Sequence, residues 1–230
     1  MHIPLLSPVG QVRATSRLTR AGAVCAVLGG AVTALVVARW RPLMDLDSSI
    51  AEALHRRAVT EPGFVHVNRL LTDWLWDPWT FRVLIAVAVV ALWWRGARPL
   101  AVCVAVTTLL SALVQQGVKA AVGRDRPQWA DPVDSAHYAA YPSGHAMTAT
   151  VSCGLLLWLL HRSGARRGMW RAAVGAAAVS VLGVGLTRLY LGVHWPSDVL
   201  GGWLLGAALT ALAVRSFDRW CAAAPARRGL

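Results

Sequence analysis

The sequence predicts an all-α integral membrane bundle of six transmembrane helices, with an extracytoplasmic amphipathic helix between the first two. Three observations carry this. Hydrophobic residues make up 56% of the 230, with a mean hydropathy of +0.49, too apolar for an ordinary soluble domain. Six apolar runs are separated by short polar segments, and arginines gather in every second segment, as the positive-inside rule requires of a multi-pass protein.

The runs are roughly Ala21 to Ala38, Trp79 to Trp94, Pro99 to Val118, Ala146 to His161, Trp170 to Leu186 and Asp198 to Val214. A span needs ~20 residues at 1.5 Å each, so the fourth and fifth must extend into their polar flanks or lie where the bilayer is thin. The first follows Arg13, Arg17 and Arg20 like a signal peptide, but it exceeds the ~7 to 15 residues of a signal h-region, which favours a retained span. Trp40, Trp79, Trp93, Trp94, Trp158, Trp170 and Trp220 lie near run ends, where interfacial belts place tryptophan. Between the first two runs Leu46, Ile50 and Leu54 recur every four residues. This is the pattern of an amphipathic helix lying on the outer surface and covering the bundle.

Charge sets the orientation. A net charge of +12 would suggest nucleic acid in a soluble protein, but no continuous basic face or nucleic-acid motif occurs. With the N-terminus cytoplasmic, the inner segments hold Arg13, Arg17, Arg20, Arg95, Arg98, Arg162, Arg166, Arg167, Arg171, Arg215, Arg219, Arg227 and Arg228, with Asp218 their sole acid. The other ten acids fall outside. Both termini are therefore expected in the cytoplasm, in a plasma-membrane protein whose site faces the extracytoplasmic side. Cys25, Cys103, Cys153 and Cys221 have no Cys-x-x-Cys spacing, so neither a disulfide framework nor a metal is expected.

Polar residues cluster at run ends on that outer side: Lys119 to Pro127, Tyr141 to His145 and Thr187 to Asp198. Charged groups beside apolar spans are costly and mark function. Lys119, Arg126 and Arg188 suit phosphoryl oxygens, the arginines in bidentate fashion. Ser143 and Gly144 stand at a helix start, where free N–H groups bind anions. Phosphoryl transfer then needs an attacking group and a proton donor, which two histidines supply. Asp198, four residues after His194, can hold one ring nitrogen and leave the other to attack, so His145 remains as general acid. Arg124 and Asp125 are read as a local surface ion pair, Trp129, His137 and Tyr138 as loop packing, and Tyr190 as core.

These clusters resemble the three signature motifs of the type 2 phosphatidic acid phosphatase superfamily, over 80 residues from Lys119 to Asp198. Lys119 and Arg126-Pro127 match Lys-(six residues)-Arg-Pro, and residues 142–145 match Pro-Ser-Gly-His. Arg188, His194 and Asp198 match Arg-(five residues)-His-(three residues)-Asp, with Thr187 where the family usually has Ser. The resemblance implies a metal-independent phosphatase without cofactor, acting on a membrane lipid. It further implies a phosphohistidine on His194, leaving-group protonation by His145, orientation by Asp198, and phosphate binding by Lys119, Arg126, Ser143, Gly144 and Arg188. One membrane-embedded domain over 1–230 is expected, with cytoplasmic tails at 1–19 and 216–230. Polyprenyl diphosphate, phosphatidic acid and phosphatidylglycerophosphate stay open as substrates, as do lipid phosphotransfer and a non-catalytic lipid-phosphate binding or transport role.

Overall fold

The computed structural model describes residues 8–223. Arg227 and Arg228, and the outer parts of both expected tails, lie outside the described residues. The order is α1 (Pro8–Val37), α2 (Arg41–Thr60), α3 (Pro62–Leu70), a π-helical turn (Leu71–Leu75), α4 (Pro78–Trp94), α5 (Arg98–Val122), α6 (Gly144–Arg162), α7 (Arg167–Tyr190) and α8 (Pro196–Ala223). Helices α1 and α8 thus continue into the stretches read as tails.

Local chemistry explains the punctuation. Proline occupies the first turn of α2, α3, α4 and α5, where its missing N–H costs nothing and its fixed φ favours the helix. Gly123 ends α5 at φ 57° and returns its N–H to the Lys119 carbonyl, the left-handed cap that residues with a Cβ adopt poorly. Beyond it, residues 123–143 form no helix and wrap the end of the bundle.

Among the described residues, five segments are long and apolar enough to cross a membrane: the apolar part of α1, the stretch from Pro62 to Trp94 that ends in α4, and α5, α7 and α8. The fourth run, Ala146 to His161, differs. Helix α6 gains Gly144, His145 and Arg162 over the expected run and spans about 28 Å, but His145, Thr148, Thr150, Ser152 and His161 dilute its apolarity. It packs against α4, α5, α7 and α8, so protein faces much of its surface and its polar groups are tolerated.

Close approach comes from small residues, the usual source of helix association where lipid is as apolar as the helices. A Cβ on Gly22 would meet the Ala211 Cβ at 2.4 Å, joining α1 to α8. On Gly202 it would meet the Ser143 carbonyl oxygen at 2.7 Å, and on Gly206 the Met147 carbonyl oxygen at 3.0 Å, joining α8 to α6.

Two expectations need correction. The amphipathic helix exists as α2, but Leu46 and Ile50 are exposed and it packs through Asp47, Ala51, His55 and Ala58. Its polar face turns inward because the bundle end it covers is ionic. Trp158, read as interfacial, is buried with Ile85, Val104, Leu155 and Phe217, edge-on to Phe217 at 5.4 Å. Trp40, Trp79, Trp93, Trp94 and Trp220 are exposed.

Candidate active site

The three clusters converge where α5 ends, α6 begins and α7 turns into α8. A backbone hydrogen bond from Ser143 N–H to the Asp198 carbonyl, 2.9 Å, joins the second cluster to the third. Arg126 joins the first to the third: Nη1 donates to the Val193 carbonyl at 2.6 Å and lies 3.2 Å from His194 Nε2. Its Nε and Nη2 donate to the carbonyls of Tyr138 and His137, so the wrapping loop is tied to the same guanidinium. Lys119 Nζ donates to the Ala139 carbonyl.

His194 is 2% exposed and Asp198 fully buried. The Asp198 carboxylate accepts at Oδ2 from Trp195 N–H, 2.8 Å, and from His194 Nδ1, 3.2 Å, and at Oδ1 from Arg124, 2.7 Å. A guanidinium can only donate, so Nε2 presents its lone pair to Arg126 and Nδ1 carries the imidazole proton toward the Asp198 carboxylate. Burial pushes the His194 pKa well below the ordinary histidine range, and the charges of Arg126, Arg188, Lys119 and Arg124 push the same way. Burial, with Arg188 nearby, lowers Arg126 to about 10, which leaves it cationic at neutral pH.

His145 stands in the first turn of α6, half-buried, and feels the charges of Arg188, Arg126 and Lys119 and the imidazole of His194. Arg188 is buried at the end of α7; Nη1 donates to Thr72 Oγ1 at 3.3 Å and lies 3.8 Å from Asp134 Oδ2. The wide π-helical turn before α4 brings Thr72 to that position. Ser143 precedes α6 without capping it. Its Oγ and the Nε of Arg188 are buried without a partner among the described residues, although an unpaired buried polar atom costs about 1–3 kcal/mol. The first N–H groups of α6, from Gly144 on, have no carbonyl a turn earlier to bond, and Gly144 lies so near α5 that a Cβ would meet Gln115 Nε2 at 2.7 Å. The cluster offers anion donors from four directions beside one unprotonated ring nitrogen.

Other residues behaved as read or were missed. Trp129 is loop packing: it stacks on His55 at 4.1 Å and donates Nε1–H to the Gly192 carbonyl. Tyr190 is core, its hydroxyl donating to Glu61. Tyr138 is instead 90% exposed and contributes its carbonyl. Arg124 is not paired with Asp125, whose carbonyl accepts from Trp195 Nε1–H. Arg124 bridges Asp198 to Asp47 of α2, both at 2.7 Å. The signals in the sequence were the arginine two places before Arg126 and the four-residue recurrence of Asp47, Ala51 and His55, one position after each member of the leucine row.

Known proteins resemble this chain in sequence and in fold. The chain is 30% identical over 157 residues to an undecaprenyl-diphosphatase of Sulfolobus acidocaldarius, covering 66% of this chain and 68% of that one. It is 35% identical over 108 residues to phosphatidylglycerophosphatase B of Bacillus subtilis, covering 46% of this chain and 52% of the relative, so it spans about half of that protein. The crystal structure of a transmembrane phosphatidylglycerolphosphate phosphatase of the PAP2 type, also from Bacillus subtilis, superposes with a TM-score of 0.66 at 22% identity, over 86% of this chain and 96% of that one. That likeness shows a shared fold. Residues 100–221, which hold all three clusters, match the PAP2 superfamily, and the chain belongs to it.

Proposed function

We propose that the protein hydrolyses a lipid phosphate or diphosphate by a two-step displacement through a phosphohistidine. The observation that carries this is the pairing of His194 with Asp198 at Nδ1, which leaves Nε2 unprotonated beside Arg126. The partnerless Ser143 Oγ and Arg188 Nε add that the surrounding donors fit a phosphoryl group.

In the first step Nε2 of His194 attacks phosphorus, the P–O bond to the leaving group breaks (an ester bond in a monophosphate, the anhydride bond in a diphosphate), and His145 gives its proton to the departing oxygen. Lys119, Arg126, Arg188, Ser143 and the Gly144 amide hold the equatorial oxygens, whose charge is spread in the transition state. In the second, water attacks the phosphohistidine, loses a proton to His145, and the P–N bond breaks. A proton on His145 among three cations is unfavourable in the free protein; the bound phosphate supplies the negative charge that offsets them.

Six spans, α1 and α4 to α8, fit the reading. The end opposite the site carries Arg95, Arg98, Arg162, Arg166, Arg167 and Arg171, so that end belongs in the cytoplasm. A headgroup then enters from outside while its chains stay in the bilayer. Polyprenyl diphosphate leads the substrate classes, supported by the relative covering two thirds of both chains.

The test offers phosphatidate, phosphatidylglycerophosphate and polyprenyl mono- and diphosphates to purified protein and to His194→Ala. Phosphate release by the wild type on one class, and none by His194→Ala, is expected; full turnover by the variant sinks the mechanism. A reporter fused after Leu230 that is active only outside the cell overturns the orientation.

A further inference from the structure

Three charged or polar groups behind His194, Asp47, Ser197 and Arg124, play no part in the two steps above, yet they form one largely buried chain. Asp47 of α2 is 1% exposed. Its Oδ1 accepts from Ser197 N–H at 2.9 Å, and its Oδ2 accepts from the Ser197 hydroxyl and from Arg124 Nη2 at 2.7 Å. Arg124 Nη1 donates to Ser197 Oγ at 2.6 Å and to Asp198 Oδ1 at 2.7 Å, and its guanidinium lies over the Trp195 ring at 5.5 Å.

We infer that Arg124, itself clamped by Asp47, is a positioning residue that locks the Asp198 carboxylate and thereby aims His194 Nε2 at phosphorus. The inference rests on the nucleophile reading of His194. A carboxylate holding an imidazole through one oxygen can still turn about its Cβ–Cγ bond. Asp198 meets His194 and Trp195 N–H through Oδ2 alone, so Arg124 on Oδ1 supplies the third point that stops the turn. A planar guanidinium can face two carboxylates with separate N–H pairs; an ammonium is a point charge that cannot hold both in one plane. Asp47 also satisfies amide and hydroxyl donors at the start of α8, where helix N-termini favour negative charge. The surface helix α2 is thereby coupled to the nucleophile through three ionised side chains.

A groove of about 350 Å³, lined in part by Met44, Ser48, Gly123, Asp125 and Trp195, reaches Arg124 from outside. A small cation can therefore enter where the side chain has been cut back.

The experiment measures kcat and KM for Arg124→Ala, Arg124→Lys, Asp47→Asn and the Arg124→Ala/Asp47→Asn double variant on the most active lipid phosphate, with His194→Ala beside them. Arg124→Ala is expected to lose about 10²-fold in kcat, the scale of a displaced reacting group, with KM nearly unchanged because the phosphate-binding cations are intact. Asp47→Asn is expected to lower kcat alone and to add little on the Arg124→Ala background, since coupled groups are non-additive. Millimolar guanidinium should restore part of the Arg124→Ala turnover and none of His194→Ala. Multiplicative losses, a loss confined to KM, or no rescue of folded Arg124→Ala overturns the inference. Should Arg124→Ala fail to fold, Arg124→Lys and Asp47→Asn decide it: a lower kcat at fixed KM supports it, and wild-type kcat in both overturns it. Activity surviving in His194→Ala defeats the nucleophile reading instead.

Discussion

Arg126 Nη1 and His194 Nε2 lie 3.2 Å apart, the guanidinium donating and the imidazole accepting. A cation that holds the lone pair of a nucleophile in the free protein has to let it go when a phosphoryl oxygen arrives. On the proposed mechanism Arg126 is therefore both a placeholder and a ligand.

Replacing Arg126 by Lys keeps the charge but loses the fork that reaches Val193, His137 and Tyr138 together. We expect kcat/KM to fall by about 10²- to 10³-fold, the usual cost of one transition-state donor. Inhibition by vanadate, a mimic of five-coordinate phosphorus, should weaken in parallel. Undiminished vanadate inhibition in a slow variant would remove Arg126 from the phosphate site.

His145→Ala should lower kcat by roughly 10²- to 10⁴-fold on lipid esters, the range of general acid catalysis. The loss should shrink sharply for p-nitrophenyl phosphate, whose leaving group needs little protonation. Equal losses on both substrates would take the acid role from His145.

The pH dependence follows from the depressed pKa of His194. In the unfolded chain this histidine takes a proton near ~6.5, whereas the folded chain refuses it until well below. The unfolded state thus binds more protons below that value, and stability present above pH ~6.5 drains away as the pH falls. Thermal unfolding in detergent should show this acid slope, and His194→Gln should flatten it. The acid limb of kcat/KM should likewise lie below ~6.5, because Nε2 stays unprotonated.

Gly202→Ala should destabilise by about 1–3 kcal/mol, the cost of overpacking, since its Cβ would meet the Ser143 carbonyl oxygen at 2.7 Å and Met147 N at 3.2 Å. Gly30→Ala, with open space around it, is the control. A lower melting temperature for Gly202→Ala alone is the expected result.

The sequence made the candidate cluster legible because its signals are local. His194 and Asp198 are one helical turn apart, and Arg126, Ser143 and Arg188 sit at the ends of apolar runs where polar groups need a reason. The Arg124 bridge was not legible: its partner Asp47 is 77 residues away, and no periodicity links them. The leucine row revealed helix α2 but not which face packs, since an apolar row signifies a buried face only when the alternative is water. Trp158 misled because α8 runs to Ala223, past the end of its apolar run, and covers a position that composition placed at an edge.

The polarity of α6 bears on how the chain is made. On the six-span reading it leaves the ribosome before α7 and α8, which pack against it, and so enters the bilayer as the least favourable of the spans. Only synthesis of α8 delivers Asp198, whose carbonyl receives the Ser143 amide. A chain arrested before Pro196 would be inserted but inert, and quality-control proteases would meet α6 with its hydrophilic side bare.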